Sequence, residues 1–155
     1  MDLELSRERK TWVTTSMALV GSVFIYGLIA HFVASGRDGT NPPNENITTT
    51  LFFLGAAVLM ISTAYFRRQT RGYLAPTLKS KPASLPGTQE FFRISIISMA
   101  LAEVPPIYGL VLVLMGAGTD LYWFFAAGSL IVMLLLVYPG GMKYWMLREQ
   151  EERTR

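Results

Sequence analysis

The chain contains no cysteine and a single histidine, and only 16% of its 155 residues carry charge. Without cysteine there is no disulfide framework, no thiolate metal site and no cysteine nucleophile. The shortage of charge excludes more, because an ordinary soluble domain carries about 25%. Apolar residues make up 51% of the chain and the mean hydropathy is +0.34. A chain this short cannot hide so much apolar surface in its own core, since small domains bury the smallest fraction of their surface. Lipid is the remaining solvent. Disorder is disfavoured as well, because it needs low hydrophobicity and high net charge. A net charge of +3 with a pI near 9.3 then points to basic loops beside a membrane rather than to nucleic acid.

The charges that are present divide the chain. No Asp, Glu, Lys or Arg occurs in the 26 residues between Lys10 and Arg37, the 21 between Glu45 and Arg67, or the 22 between Asp120 and Lys143. A fourth apolar stretch, from Phe91 to Gly118, is interrupted by Arg93 and Glu103. A helix needs roughly 20 apolar residues to cross the hydrocarbon core, so each stretch suffices. None alternates with the period of a membrane barrel strand. The expected fold class is an all-α integral membrane protein with four transmembrane helices, arranged as two helical hairpins. Spans at about 11–34 and 47–66 form a first hairpin within 1–66, and spans at about 91–117 and 121–140 form a second within 90–142. A basic linker, 67–89, joins them, with Pro76, Pro82, Pro86 and Gly87 marking it as irregular, and a charged tail, 143–155, extends the fourth helix.

Loop charge orients the spans. Arg67, Arg68, Arg71, Lys79 and Lys81 lie between spans two and three, and basic residues also cluster at both termini. The 1–2 connection has only Arg37 and the 3–4 connection has no basic residue. Both termini and the central loop are expected on the cytoplasmic side, in a membrane of the bacterial inner type. The first span is too long for a signal peptide and no small-x-small cleavage site follows it, so it reads as an uncleaved anchor.

The chain also resembles itself. Residues 16–36 read SMALVGSVFIYGLIAHFVASG and residues 98–118 read SMALAEVPPIYGLVLVLMGAG, aligned without a gap at an offset of 82. Spans two and four correspond more weakly, Phe52-Phe53-Leu-Gly-Ala-Ala against Phe124-Phe125-Ala-Ala-Gly-Ser. A duplicated hairpin with both copies in the same orientation accounts for this. The copies differ at one informative place. Gly21 in the first corresponds to Glu103 in the second, and Val23-Phe24 to Pro105-Pro106.

Glu103 follows Arg93 by ten residues and precedes Asp120 by seventeen, which puts it roughly 15 Å and 25 Å from the two boundaries. A carboxyl at such depth is expensive when charged, so it is a functional-site hypothesis by default. It can take up and release a proton when its surroundings alternate between apolar and wet. Pro105 and Pro106 remove two backbone N–H donors and free the carbonyls of Leu101 and Ala102, so a kink is expected there. Ala100, one turn before Glu103, is small enough to admit another helix closely. Glu103 is the expected proton-binding residue, shaped by Ala100, Pro105, Pro106, Tyr108 and Gly109.

The segment Ala102-Glu103-Val104-Pro105-Pro106-Ile107-Tyr108-Gly109-Leu110 resembles the carboxylate helix of rotary-ATPase c subunits, the proteolipids of F- and V-type enzymes. In that family an essential acid sits mid-helix and Ile-Tyr-Gly-Leu commonly begins four residues later, where this chain has Ile107. The likeness covers about 25 residues around 98–118. It implies a proton-binding carboxylate in an oligomeric membrane protein, a homo-oligomer such as a ring or a partner of other membrane subunits. Here the acid's helix is the third of four rather than the last, and the family's glycine run is reduced to Gly55 among alanines.

Little else carries chemistry. His31 stands alone, so no metal is expected. No phosphate loop, carboxylate pair or Ser-His-Asp set occurs, so no catalytic residue and no cofactor is expected. Tyr122, Trp123, Phe124, Phe125, Tyr138, Tyr144 and Trp145 bracket the fourth span and read as interfacial belts. The expected function is proton translocation through Glu103 in an oligomeric complex. The alternative is a non-catalytic assembly subunit that uses the c-like helix for oligomerisation.

Overall fold

The computed structural model describes residues 2–37, 43–74 and 85–154. Helices α1 (Asp2–Ser35), α2 (Glu45–Leu74) and α3 (Thr88–Leu114) are followed by α4 (Thr119–Ile131), a π-helical segment (Val132–Val137) and α5 (Tyr138–Arg153). The last three are one continuous rod from Thr119 to Arg153. All four rods are long and apolar enough to cross a membrane, and no strand occurs among the described residues. The helices overrun the apolar spans at their charged ends, because Arg, Lys, Glu and Gln are good helix formers. Thus Arg67 to Leu74, expected in an irregular linker, continues α2, and only 85–87 of the described linker is non-helical. Pro76 and Pro82 lie outside the described residues.

The rods alternate in direction. Arg9 near the start of α1 pairs with Glu149 near the end of α5 at 2.6 Å, so both lie at one end of the bundle. At the other end Arg37 reaches the end of α3. α3 is the hub: α1, α2 and α4 all lie against it, and α1 is packed on α3 and α4 rather than on α2. The helices meet through small residues. Ser16, Ala30, Ser62, Ser98, Ala102, Ala126 and Ser129 are buried, while Phe32, Phe53, Met60 and Leu135 point outward. That inversion of the soluble pattern is what a lipid solvent selects, since small side chains let backbones approach and apolar ones lose nothing by facing acyl chains.

One end is closed by an aromatic collar. Trp12, Phe91, Tyr144 and Trp145 are fully buried together, with the Phe91 and Tyr144 rings stacked at 3.9 Å. Trp12 Nε1 donates to Ser95 Oγ at 2.8 Å. Two adjacent glycines make room: a Cβ on Gly141 would lie 2.0 Å from the Trp12 ring, and one on Gly140 would lie 2.7 Å from Phe66. The belt expected from sequence is corrected here, because Tyr122, Tyr144 and Trp145 are interior and only Trp123 and Phe124 of those aromatics are strongly exposed. Tyr122 and Tyr144 find acceptors inside the bundle, on the Val23 and Pro86 carbonyls, whereas the Trp145 indole N–H has no partner among the described residues and is held by ring packing alone.

Cations from other rods close two helix ends. α3 stops at Gly116, whose φ of 110° only glycine adopts cheaply, with Ala117 N–H donating to the Leu112 carbonyl at 2.9 Å. Arg37 then donates to the Val113 carbonyl at 2.9 Å and to that of Leu114. Lys143 donates to the Leu74 carbonyl at the end of α2. Cations at helix C-termini are favourable because they face the negative end of the dipole. Arg37→Gln is expected to cost about 1 kcal/mol. Thermal unfolding in detergent would register it as a lower midpoint, and an unchanged midpoint would mean the two bonds contribute nothing.

Candidate functional site

Glu103 lies in the middle third of α3, and its side chain leaves the bundle interior at the seam with α1. It is partly buried rather than sealed. Two α1 residues one turn apart, Ser22 and Tyr26, meet the same carboxyl oxygen. Ser22 Oγ donates to Glu103 Oε1, and Tyr26 OH donates to it at 3.2 Å. Their i, i+4 spacing places both hydroxyls on one face of α1. Ser22 Oγ also lies 2.7 Å from the Leu19 carbonyl.

That last contact gives the site two consistent proton arrangements. A hydroxyl has one proton and two acceptor lone pairs. With Glu103 ionised, Ser22 and Tyr26 can both donate to Oε1. With Glu103 protonated, its own O–H can donate to Ser22 Oγ, which donates in turn to the Leu19 carbonyl. Neither arrangement leaves a hydroxyl of Ser22 or Glu103 without a partner, so the same backbone accommodates both charge states.

The two proline rings lie within α3, which continues through them to Leu114. Both are buried, and Pro105 faces α2: a Cβ on Gly55 would lie 3.5 Å from the Pro105 Cβ and 2.9 Å from the Phe125 ring. Gly109 is buried against α4, where an added Cβ would stand 3.0 Å from Tyr122 Cα. Its counterpart in the repeat, Gly27, meets the same part of α4, 3.0 Å from Tyr122 Cε1 and 2.9 Å from the Trp123 ring. Tyr122 therefore fits between the two equivalent glycines, with its hydroxyl donating to the Val23 carbonyl.

Other expected neighbours go elsewhere. Ala100 is exposed, so none of the described helices makes the close approach that its size permits; on α2 and α3 the close approaches are at Gly55 and Gly109. Tyr108 packs toward Leu112, Ala117 and Phe125, away from the carboxyl. The tyrosine at Glu103 is the other copy's, Tyr26. Ser22 and Tyr26 were not singled out from the sequence, although the repeat register carried the signal: Ser22 is one residue from Gly21, the counterpart of Glu103. His31 is exposed, edge-on to Phe32. Among the described residues no group of three His, Asp or Glu is placed to hold a metal ion.

No family model, curated protein or solved structure matches the chain.

Proposed function

We propose that this is a c-subunit-like membrane protein in which Glu103 binds and releases a proton, contributing to proton translocation within an oligomeric membrane complex. The observation that carries this reading is the double engagement of Glu103 Oε1 by Ser22 and Tyr26, with the Leu19 carbonyl behind Ser22. A site built only to hold a neutral acid needs one acceptor. This one supplies donors for the carboxylate and an acceptor for the acid. The partial exposure of Glu103 at the α1–α3 seam supports access from outside the bundle, so that a partner subunit or a second copy supplies the wet path. The proposed topology keeps both termini and the Arg67 end of α2 on the cytoplasmic side of an inner-type membrane, on the asymmetry of basic residues.

Carbodiimide labelling tests the proton site, since the reagent attacks the neutral acid. Glu103 is expected to label in native membranes, and Glu103→Gln to abolish the labelling. An inert Glu103 would sink the proposal.

One observation favours a second reading. The Ser22 and Tyr26 bonds tie α1 to α3, so Glu103 can act as a fixed clamp in an assembly subunit whose c-like helix serves oligomerisation. The two readings divide on replacing Glu103 by its amide.

A further inference from the structure

At the collar end, α2 presents Arg67, Arg68 and Arg71 over a groove of about 640 Å³ shared with the fourth rod. The three guanidinium groups are exposed and lie at i, i+1 and i+4, so they share one side of α2. None has a carboxylate partner: among the described residues the ion pairs are Arg9–Glu149 and Arg148–Glu151. The sequence offers none nearby, because no Asp or Glu occurs from Arg67 to Gln89. The groove floor is apolar, made by Phe66, Leu136 and the bare backbone of Gly140. Lys143 adds a fourth cation beside it, its ammonium on the Leu74 carbonyl.

Cations without counter-charge cost free energy through mutual repulsion, which a bound anion relieves. Here they ring an apolar floor at the edge of a 21-residue charge-free span, where headgroups and acyl chains meet. We infer that this groove binds an anionic phospholipid, its phosphate held by Arg67, Arg68 and Arg71 and its chain root on Phe66 and Leu136. Guanidinium groups suit the task because their fixed forks grip phosphate oxygens in pairs. The inference rests on the helices spanning a membrane and is independent of Glu103.

The full chain, purified in a neutral maltoside detergent, is titrated with phosphatidylglycerol, with phosphatidylcholine of the same chains, and with inorganic phosphate, while its melting midpoint is followed. Phosphatidylglycerol is expected to raise the midpoint saturably and the other two to leave it unchanged. R67Q/R68Q/R71Q should need roughly a hundredfold more phosphatidylglycerol for the same rise, and Arg71→Gln alone about fivefold more. A control with the same loss of charge at exposed positions elsewhere, R7Q/K10Q/R93Q, should stay within about threefold of the wild type. Equal stabilisation by phosphatidylcholine, stabilisation by phosphate alone, or an equal loss in the control would each overturn the inference. Glu103→Gln should leave this titration unchanged, so a failure here is separable from a failure of the proton site.

Discussion

Gly141→Ala should unfold the collar end of the bundle and lower stability by about 3 kcal/mol or more, a large effect for one methyl group. The added carbon would stand 2.0 Å from the Trp12 ring, well inside van der Waals contact. A flexible side-chain tip could swing aside, but Trp12 has nowhere to go. It is fully buried, its indole N–H is bonded to Ser95, and its ring is stacked on Tyr138 at 5.6 Å. Moving it breaks those contacts, and moving α5 instead breaks the Phe91–Tyr144 stack. Thermal unfolding in detergent is the measurement, with Gly21→Ala as the comparison. Nothing lies within 4 Å of a Cβ at Gly21, so that variant should melt at or slightly above the wild type. Equal midpoints for the two variants would show that the collar yields easily.

Glu103→Gln should reduce proton movement to background, a loss of about a hundredfold or more, while leaving the fold intact. Glutamine has nearly the same shape and keeps a carbonyl oxygen for Tyr26 and Ser22, but it cannot release a proton in the accessible pH range. Proton movement across native membrane vesicles, followed with a pH-sensitive dye, reads the first part; the melting midpoint reads the second. Glu103→Leu separates fold from function. It leaves the Tyr26 and Ser22 hydroxyls without the carboxyl and should cost about 1–3 kcal/mol. If the amide variant moves protons as well as the wild type while the leucine variant is destabilised, Glu103 is a clamp and the assembly reading stands.

The four rods were legible because charge is so scarce in this sequence that its gaps outline the spans. Position along α3 was legible too, since counting residues from Arg93 and Asp120 puts Glu103 well inside the helix. Which rods touch was not. Chain order suggests that α1 belongs with α2, but a serine and a tyrosine on α1 bind the acid on α3, and such pairing depends on interhelical geometry that composition does not encode. The repeat came closest to predicting it. Two related helices running in the same direction bring equivalent residues to one level, and Gly27 and Gly109 both receive Tyr122. The aromatics of the fourth span misled for a related reason: their positions in sequence fit an interface, while their environments are set by cavities that glycines elsewhere open.

The π-helical segment from Val132 to Val137 has a consequence for chain length. Tyr138 N–H bonds to the Met133 carbonyl, five residues back, and the wider turn precedes Pro139, whose ring would otherwise press on the carbonyl of Leu135. A π turn holds one residue more than an α turn, and one residue is about 100° of rotation. The fourth rod is thus two α-helices set out of phase. The offset aims Phe125 at Gly55 in its first half and Gly141 at Trp12 in its second. Leu135, with 73% of its surface exposed, has little contact of its own to lose. Removing it would still restore α phase and turn Gly141 away from α1 and Gly140 away from α2, so here the number of residues is constrained where their identities are nearly free.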